Sequence, residues 1–379
     1  MFGNIKRGNI MIETREDSLR LTVSQTATML AKAYTALIKS KTPFKTFPSV
    51  MLWGPPGVGK SQGVKQIASK ISEETGKRVV ITDVRLLLFN PVDLRGIPTA
   101  NEDRTLAVWL KPKIFQMDEN EDVVNILFLD EISAAPQSVQ AAAYQITLDR
   151  TVGEHRLPEN CIVMAAGNRV TDRSVAYTMP KALANRLCHI EIADDSKSWH
   201  DWAVSAGINK IVLGFIDYNP GMLMGFEASG SELAFPTPRS WEMVSNILNN
   251  ISENIGEVFP LISGCIGESA AFELLGWSEI YRKIPDARDI FEGEAVSVPK
   301  RPEALFALSS DIPAYFKKHH SKEETKNAVK YAAKMPPEFR NRIFADFLQV
   351  KPALKYLSNI SEFDDWFLRS KREWADYGI

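Results

Sequence analysis

One motif near the start of the chain combines residue types and spacing suited to binding phosphate. It matches the pattern GxxxxGK[ST] in full. Its residues, with the one that follows, are Gly54, Pro55, Pro56, Gly57, Val58, Gly59, Lys60, Ser61 and Gln62. Glycines let a backbone wrap closely around phosphate groups and point its N–H groups inward. We therefore expect a nucleotide site in which Lys60 contacts the β and γ phosphates and Ser61 is a ligand of Mg²⁺.

Two adjacent carboxylates close a later apolar segment. Residues 123–131 read VVNILFLDE, so Asp130 and Glu131 fall where a buried strand would leave its sheet. Such a pair alone could be a solvated turn or a helix cap. Combined with the phosphate motif, it predicts that Asp130 binds Mg²⁺, directly or through water. Glu131 would then orient or deprotonate the water that attacks the γ phosphate. ATP is the expected substrate, although these residues do not distinguish it from GTP.

A parallel sheet is needed to bring these groups together, and the chain carries a pattern typical of one. Short, continuously apolar segments alternate with helical periodicity from Ser49 to about Ala193. The predicted strands are Val50–Trp53, Val79–Val84, Ile126–Leu129, Ile162–Ala166 and Leu187–Ile192. Segments this short with so few polar residues indicate strands covered on both faces, as in an α/β sheet flanked by helices.

Helical periodicity accounts for most of the remainder. A helix is expected at Thr22–Ser40, and strand patterns disappear after Asp194. We expect an N-terminal helical segment (1–48), an α/β core (49–194), a helical domain (195–283) and a helical C-terminal extension (284–379). The break between the last two contains Pro285 and Pro302 and a loop over 292–301.

Three further polar residues lie at the ends of predicted elements. Asn168 ends the apolar segment CIVMAAGN, Arg186 ends an Ala/Leu-rich helical stretch, and Arg239 lies in the first turn of a helix capped by Thr237. Each has an ordinary alternative, as a strand-end amide or a surface cation.

In this order, the motifs resemble the AAA+ ATPases, and specifically their MoxR-type branch, which is related to the magnesium-chelatase-type ATPases. The resemblance implies a P-loop AAA+ core followed by an all-helical lid. It implies that Asn168 is the first sensor, which positions the attacking water, and that Arg239 is the second sensor. Arg186 resembles the arginine finger that acts on a neighbouring subunit's nucleotide. Arg169 and Arg173, which follow the strand that ends at Asn168, are alternative candidates for this trans-acting residue. The sequence departs from the common MoxR pattern at Asn185, where an acidic residue usually precedes this arginine.

Two insertions support the same branch. Residues 86–112 contain two extended stretches separated by a polar tip, Asn101-Glu102-Asp103, and residues 149–160 form a second candidate hairpin. Both stand where MoxR-type and magnesium-chelatase-type ATPases carry pore-facing hairpins. The phrase NPVDLRGIP at 90–98 is especially similar to MoxR-type sequences.

Composition excludes several other classes. The chain has 379 residues, with 45 Lys and Arg against 47 Asp and Glu, so a strongly basic nucleic-acid binder is excluded. Its three cysteines are too far apart for a CxxC zinc site or a disulfide framework. The five histidines show no metal-binding spacing. No signal peptide and no apolar segment of membrane-spanning length is apparent, so we expect a cytoplasmic protein.

The resemblance implies an ATP-hydrolysing motor or chaperone that remodels or activates a protein client. It further implies a homo-oligomeric ring, of six subunits, and a von Willebrand factor A domain partner. The main alternative is a nucleotide-gated module that acts on DNA. The acidic tip of the first hairpin argues against it. A nucleotide-binding scaffold with little turnover is a third possibility, which the intact Asp130-Glu131 pair does not support.

Overall fold

A sheet of six parallel strands organises the first half of the chain. We analysed a computed structural model, which describes residues 20–169, 179, 181–193, 195–225, 233–319, 321–350 and 353–376. The sheet has the order β1-β10-β2-β9-β6-β3. These strands are β1 (Arg20–Leu21), β2 (Val50–Trp53), β3 (Arg78–Arg85), β6 (Val123–Asp130), β9 (Cys161–Gly167) and β10 (Cys188–Ile192). The remaining strands form two antiparallel hairpins: β4 (Ile97–Ala100) with β5 (Ala107–Leu110), and β7 (Thr151–Val152) with β8 (His155–Arg156).

The α/β prediction for this half is confirmed, because the predicted strands are all present and all pair in parallel. All of β9 is buried, and so is β6 except for its last residue, which explains their nearly unbroken apolar sequences. The helices of this half are α1 (Val23–Lys39), α2 (Lys60–Thr75), α3 (Pro91–Arg95), α4 (Gln137–Asp149) and α5 (Lys181–Ala184). The short edge strand β1 was not predicted.

Close backbone approaches occur within the first hairpin and between the two hairpins. Gly96, at φ +93°, packs against the carbonyl of Leu110, and any Cβ there would collide with that oxygen. A Cβ on Gly153, at φ +56°, would lie 2.6 Å from the carbonyl oxygen of Arg95. The His155 Nε2 atom lies 2.7 Å from the carbonyl oxygen of Trp109. The two predicted hairpins are therefore both present and are connected to each other.

The second half of the chain is helical. It forms its own compact unit, Asp195–Ile379, distinct from the first unit, Met1–Asp194. Its helices are α6 (Ser196–Ala206), α7 (Lys210–Tyr218), α8 (Pro238–Asn250), α9 (Ile255–Ile266), α10 (Glu268–Tyr281), α11 (Ala287–Glu292), α12 (Pro302–Lys318), α13 (Lys322–Ala332), α14 (Pro337–Leu348), α15 (Leu354–Leu357) and α16 (Ser361–Asp376). A short helix, α11, occupies part of the break expected between 285 and 302. Within the described residues, no helix is long and apolar enough to cross a bilayer.

Two buried clusters make up the core of this helical unit. One comprises mainly residues of helices α6 to α10 and contains Trp241, and the other comprises mainly residues of helices α11 to α16 and contains Phe344. Polar contacts also connect the two sets of helices: Lys210 of α7 pairs with Asp311 of α12, and the Tyr281 hydroxyl contacts Ser310. The segments expected as a lid and an extension therefore pack as parts of one unit.

A buried group of charges makes a further connection within this unit. His200 of α6 lies between Asp217 of α7, at 3.0 Å, and Asp346 of α14, at 3.1 Å. Arg342 of α14 also pairs with Asp217. Burial lowers the pKa of His200, but its hydrogen bonds to the two carboxylates and their charges outweigh burial and raise it to about 9.

Candidate active site

The phosphate loop connects β2 to α2, as a nucleotide site of this type requires. Gly57 and Gly59 adopt left-handed conformations, with φ of +81° and +103°, so the loop backbone depends on glycine there. A Cβ on Gly54 would lie 3.0 Å from a methyl group of Val58 and 3.1 Å from the carbonyl oxygen of Ile192. The remaining loop residues, Pro55 and Pro56, stand between these glycines, and Gln62 lies in the first turn of α2.

Lys60, the first residue of α2, places its ammonium group in the middle of this site. Its Nζ atom donates to the carbonyl oxygens of Gly54, at 2.6 Å, and Pro55, at 3.0 Å. It also donates to Oδ1 of Asn168, at 2.8 Å. The lysine of the phosphate loop and the amide at the end of β9 are thus brought together across 108 residues of sequence.

Ser61 and Asp130 also meet at this end of the sheet. The Ser61 hydroxyl donates to Oδ2 of Asp130 at 2.9 Å. A hydroxyl oxygen beside a carboxylate is a suitable donor set for Mg²⁺, which prefers hard oxygen ligands. The residues predicted to bind the metal therefore fit it.

Glu131 follows directly and has an uncommon backbone conformation. Its φ is +57°, which a non-glycine residue seldom adopts, and its N–H donates to Oδ1 of Asp130 at 2.9 Å. The next residue, Ile132, donates its N–H to the carbonyl oxygen of Ala166 on β9. Strained residues of this kind cluster at functional sites.

Two residues near the site were not identified from the sequence. The buried Ser133 hydroxyl accepts a 2.9 Å hydrogen bond from the backbone N–H of Asn168. Asp83 of β3 lies near Asp130, and burial together with that negative charge raises the pKa of Asp83. Asp83 could have been identified from the sequence, because it is a carboxylate close to the carboxyl end of a predicted strand. A serine in a loop offers no comparable pattern.

The candidate arginines fall at different ends of the sheet. Arg186 lies in the turn before β10, whose Cys188 pairs with Val50 at the start of β2, so Arg186 is at the amino end. The predicted helix stops at Ala184, so Arg186 is in a turn rather than in a helix. Arg169 follows β9 at the carboxyl end, where its guanidinium pairs with Glu191 at 2.8 Å. Arg173 lies outside the described residues.

A polar cavity of about 480 Å³ opens beside Arg186. Its lining residues are Lys45, Phe47, Pro48, Ser49, Thr147, Leu148, Asp149, Arg150 and Arg186. Burial lowers the pKa of Arg150, whose guanidinium donates to the carbonyl oxygen of Cys161. Cations thus outnumber carboxylates on this cavity wall, at the end of the sheet away from the phosphate loop.

Arg239 belongs to the helical unit. It is exposed in the first turn of α8, where Thr237 caps the helix by accepting from the N–H of Ser240 at 3.0 Å. The predicted cap and the proline at the first helical position are confirmed. Arg239 therefore lies in the second unit, whereas Lys60 lies in the first.

Comparison with known proteins gives one match that carries weight. Residues 49–189 match the family described as "ATPase family associated with various cellular activities (AAA)". No curated protein matches the chain.

Several solved structures resemble the chain at low identity. Caenorhabditis elegans PCH-2 is 14% identical, with 67% of each chain covered and a TM-score of 0.34. A mutant RuvB of Thermotoga maritima is 14% identical, with 79% of this chain and 88% of that chain covered and a TM-score of 0.34. Brucella abortus NtrX in complex with ATP is 14% identical, with 89% and 71% covered and a TM-score of 0.34.

At TM-scores of this size, the assignment rests on the family match and on the site itself. The matched residues contain the phosphate loop, Asp130, Glu131 and Asn168, which the sheet brings to one end. Residues 49–189 are therefore similar to the ATPase domain of the AAA family, and the chain is an enzyme that hydrolyses ATP.

Proposed function

We propose that this ATPase is a MoxR-type motor that works as a homo-oligomeric ring, of six subunits, and remodels or activates a protein client. The observation that carries the proposal is the placement of Lys60, Asn168, Ser61 and Asp130 at one end of the sheet, with Arg186 at the other. A site divided in this way needs a second subunit to complete it.

Each group at the carboxyl end has a chemical task. Lys60 binds the β and γ phosphates, exchanging its present carbonyl partners for phosphate oxygens. Ser61 and Asp130 would hold Mg²⁺, which neutralises phosphate charge when bound. Glu131 deprotonates or orients the attacking water, and Asn168 positions it.

Arg186 is separated from its own phosphate loop by the length of β2. The strand has four residues, so roughly 13 Å of backbone lies between the two ends. Arg186 therefore acts, in this proposal, on the nucleotide of a neighbouring subunit. Arg169 is the weaker candidate because it lies at the same end as its own phosphate loop, paired with Glu191.

The first hairpin has a surface that suits a protein client. Ile97, Leu106 and Leu110 are each more than half exposed there, whereas the tip carries Glu102 and Asp103. Apolar side chains bind protein surfaces, while acidic ones repel nucleic-acid phosphates. Following the MoxR resemblance, we also propose a von Willebrand factor A domain protein as a partner. Arg239 keeps its proposed role as second sensor, tested by the ATP affinity of Arg239→Ala.

Subunit mixing tests the division of the site directly. Glu131→Gln subunits retain Arg186 but lack the group that activates water. Arg186→Ala subunits retain Glu131 but lack the arginine. Each variant alone should lose turnover, by about 10²-fold or more for Glu131 and about 10³-fold or more for Arg186. An equimolar mixture should regain activity, because some interfaces then combine both groups.

Lys32→Ala provides the matched control, since Lys32 is an exposed cation on α1. It should keep wild-type turnover alone. Failure of the mixture to regain activity, or full activity of Arg186→Ala alone, would contradict the trans arrangement. Oligomer mass with and without ATP, measured by light scattering, tests the ring independently.

A further inference from the structure

His189 of β10 connects the strand that leads into the phosphate loop with the turn that carries Arg186. Trp53 is the last residue of β2, and its Nε1 atom lies 2.8 Å from Nδ1 of His189. The two rings are stacked, with centroids 5.9 Å apart and an interplanar angle of 17°. On its other side, His189 Nε2 lies 2.7 Å from the carbonyl oxygen of Ala184.

These two partners determine the tautomer of the imidazole. An indole nitrogen can only donate, so Nδ1 of His189 accepts from Trp53. A carbonyl oxygen can only accept, so Nε2 carries the proton and donates to Ala184. Both ring nitrogens are therefore engaged, Nδ1 as an acceptor and Nε2 as a donor. The side chain is exposed, so its role is not that of a buried packing residue.

The carbonyl of Ala184 also closes the turn that contains Arg186. It accepts from the N–H of Leu187 at 3.2 Å, so Asn185 and Arg186 are the two central residues of a four-residue turn. The carbonyl oxygen of Ala184 thus accepts two hydrogen bonds, one from Leu187 that closes the turn and one from His189. A rotation of this carbonyl would move Arg186.

We propose that His189 is a positioning residue that fixes the orientation of Arg186 toward the neighbouring subunit. Through Trp53, it connects that orientation to the strand entering the phosphate loop of its own subunit. Nucleotide binding in one subunit would then change the orientation of its Arg186 toward the nucleotide of the next subunit. This inference rests on the proposed function, because it requires Arg186 to act in trans.

The test places a His189 substitution on one side of the subunit interface at a time. In the mixing assay, Glu131→Gln subunits are arginine donors and Arg186→Ala subunits are acceptors. His189→Phe keeps a ring for stacking but loses both hydrogen bonds. In donors, it should lower the kcat of the mixture about 10-fold or more with little change in KM. In acceptors, it should change kcat less than about twofold, because position 186 of the acceptor is already alanine and has no arginine for His189 to orient.

His189→Gln in donors is the rescue variant, because its amide oxygen can accept from Trp53 and its amide N–H can donate to Ala184. It should recover most of the lost kcat. Equal losses from donor and acceptor placement would indicate a general folding defect and would overturn the proposal, as would unchanged kcat with donor His189→Phe. Activity of the acceptors carrying His189→Phe shows that the substituted chain folds. If the parent mixture without any His189 change is inactive, the trans arrangement fails and this inference fails with it.

Discussion

At the residue scale, the conformation of Glu131 ties catalysis to a local cost in stability. A side chain at φ +57° pays a penalty that glycine avoids, of about 1 kcal/mol. The carboxylate is kept in this position by the backbone bonds of its neighbours, Asp130 and Ile132. The stored strain fixes the direction in which the carboxylate leaves the strand.

A pair of substitutions separates this strain from the chemistry. Glu131→Gly and Glu131→Ala both remove the carboxylate, so both should abolish turnover. Only the glycine relieves the left-handed conformation, so its free energy of unfolding should exceed that of Glu131→Ala by about 0.5–1 kcal/mol. Denaturant titration without nucleotide measures this difference. An alanine variant as stable as the glycine variant would show that the conformation is not strained.

Ser133 supports the first sensor through one hydrogen bond. Ser133→Ala leaves the N–H of Asn168 without its acceptor, at a cost of about 1–3 kcal/mol, and lets the Asn168 side chain shift from Lys60. We expect kcat to fall about 10-fold with KM for ATP nearly unchanged. Steady-state kinetics measures both values.

Ser138→Ala is the control for this prediction, because Ser138 is an exposed serine on the nearby helix α4. It should leave both constants unchanged. A rise in KM with constant kcat for Ser133→Ala would place the serine in substrate binding instead.

At the scale of elements, the two hairpins behave as a connected pair. Gly153 allows the second hairpin to approach the carbonyl of Arg95, just before the first hairpin, and His155 adds a hydrogen bond to the carbonyl of Trp109. The second hairpin begins directly after α4, the helix that follows Glu131. A movement of Glu131 at the end of β6 can therefore be transmitted through α4 to the second hairpin, and from there to the first.

Alanine substitution at two glycines should give opposite results. Gly96→Ala introduces a Cβ against the Leu110 carbonyl at a positive φ, and should destabilise the first unit by more than about 1 kcal/mol. Gly264→Ala, on the exposed face of α9 with no atom near the added Cβ, should stabilise its helix by about 0.5–1 kcal/mol. Thermal melting compares them. A neutral Gly96→Ala would mean that the first hairpin shifts to admit the added Cβ without cost.

At the scale of the whole molecule, the charges around His200 make the stability of the helical unit depend on pH. Folding raises the pKa of this histidine from 6.5 to about 9. The resulting stabilisation is complete below pH 6.5 and is lost as pH rises through about 9, amounting to at most about 3 kcal/mol.

Denaturant titrations between pH 6 and pH 9.5 should therefore show falling stability of the helical unit. His200→Gln should be less stable at pH 7 and should lack most of this slope, whereas His319→Gln, at an exposed histidine, should keep it. A wild-type unit whose stability is constant over this range would contradict the assignment of a charged His200.

The sequence predicted features that depend on local pattern. The strand Val50–Trp53 was placed without error, and the groups now seen together, Lys60, Asp130 and Asn168, follow from a motif and from strand ends. It did not reveal His189 or the contacts around His200, because partners 136 or 146 residues apart leave no periodic signal. The length of α5 was also overestimated, since the chain leaves the helix at a turn that Leu187 and His189 close by their hydrogen bonds to the carbonyl of Ala184.

The packing of α1 on the phosphate loop has a consequence for how the protein can evolve. A Cβ on Gly59 or Gly63 would lie 3.3 or 3.4 Å from the methyl groups of Val23. The size of residue 23 and the size of residue 63 are therefore not independent. Among descendants of this sequence, an alanine at 63 should accompany a smaller side chain at 23. Val23, which lies outside the matched residues, thus restricts which substitutions the phosphate loop and the start of α2 can accept during evolution.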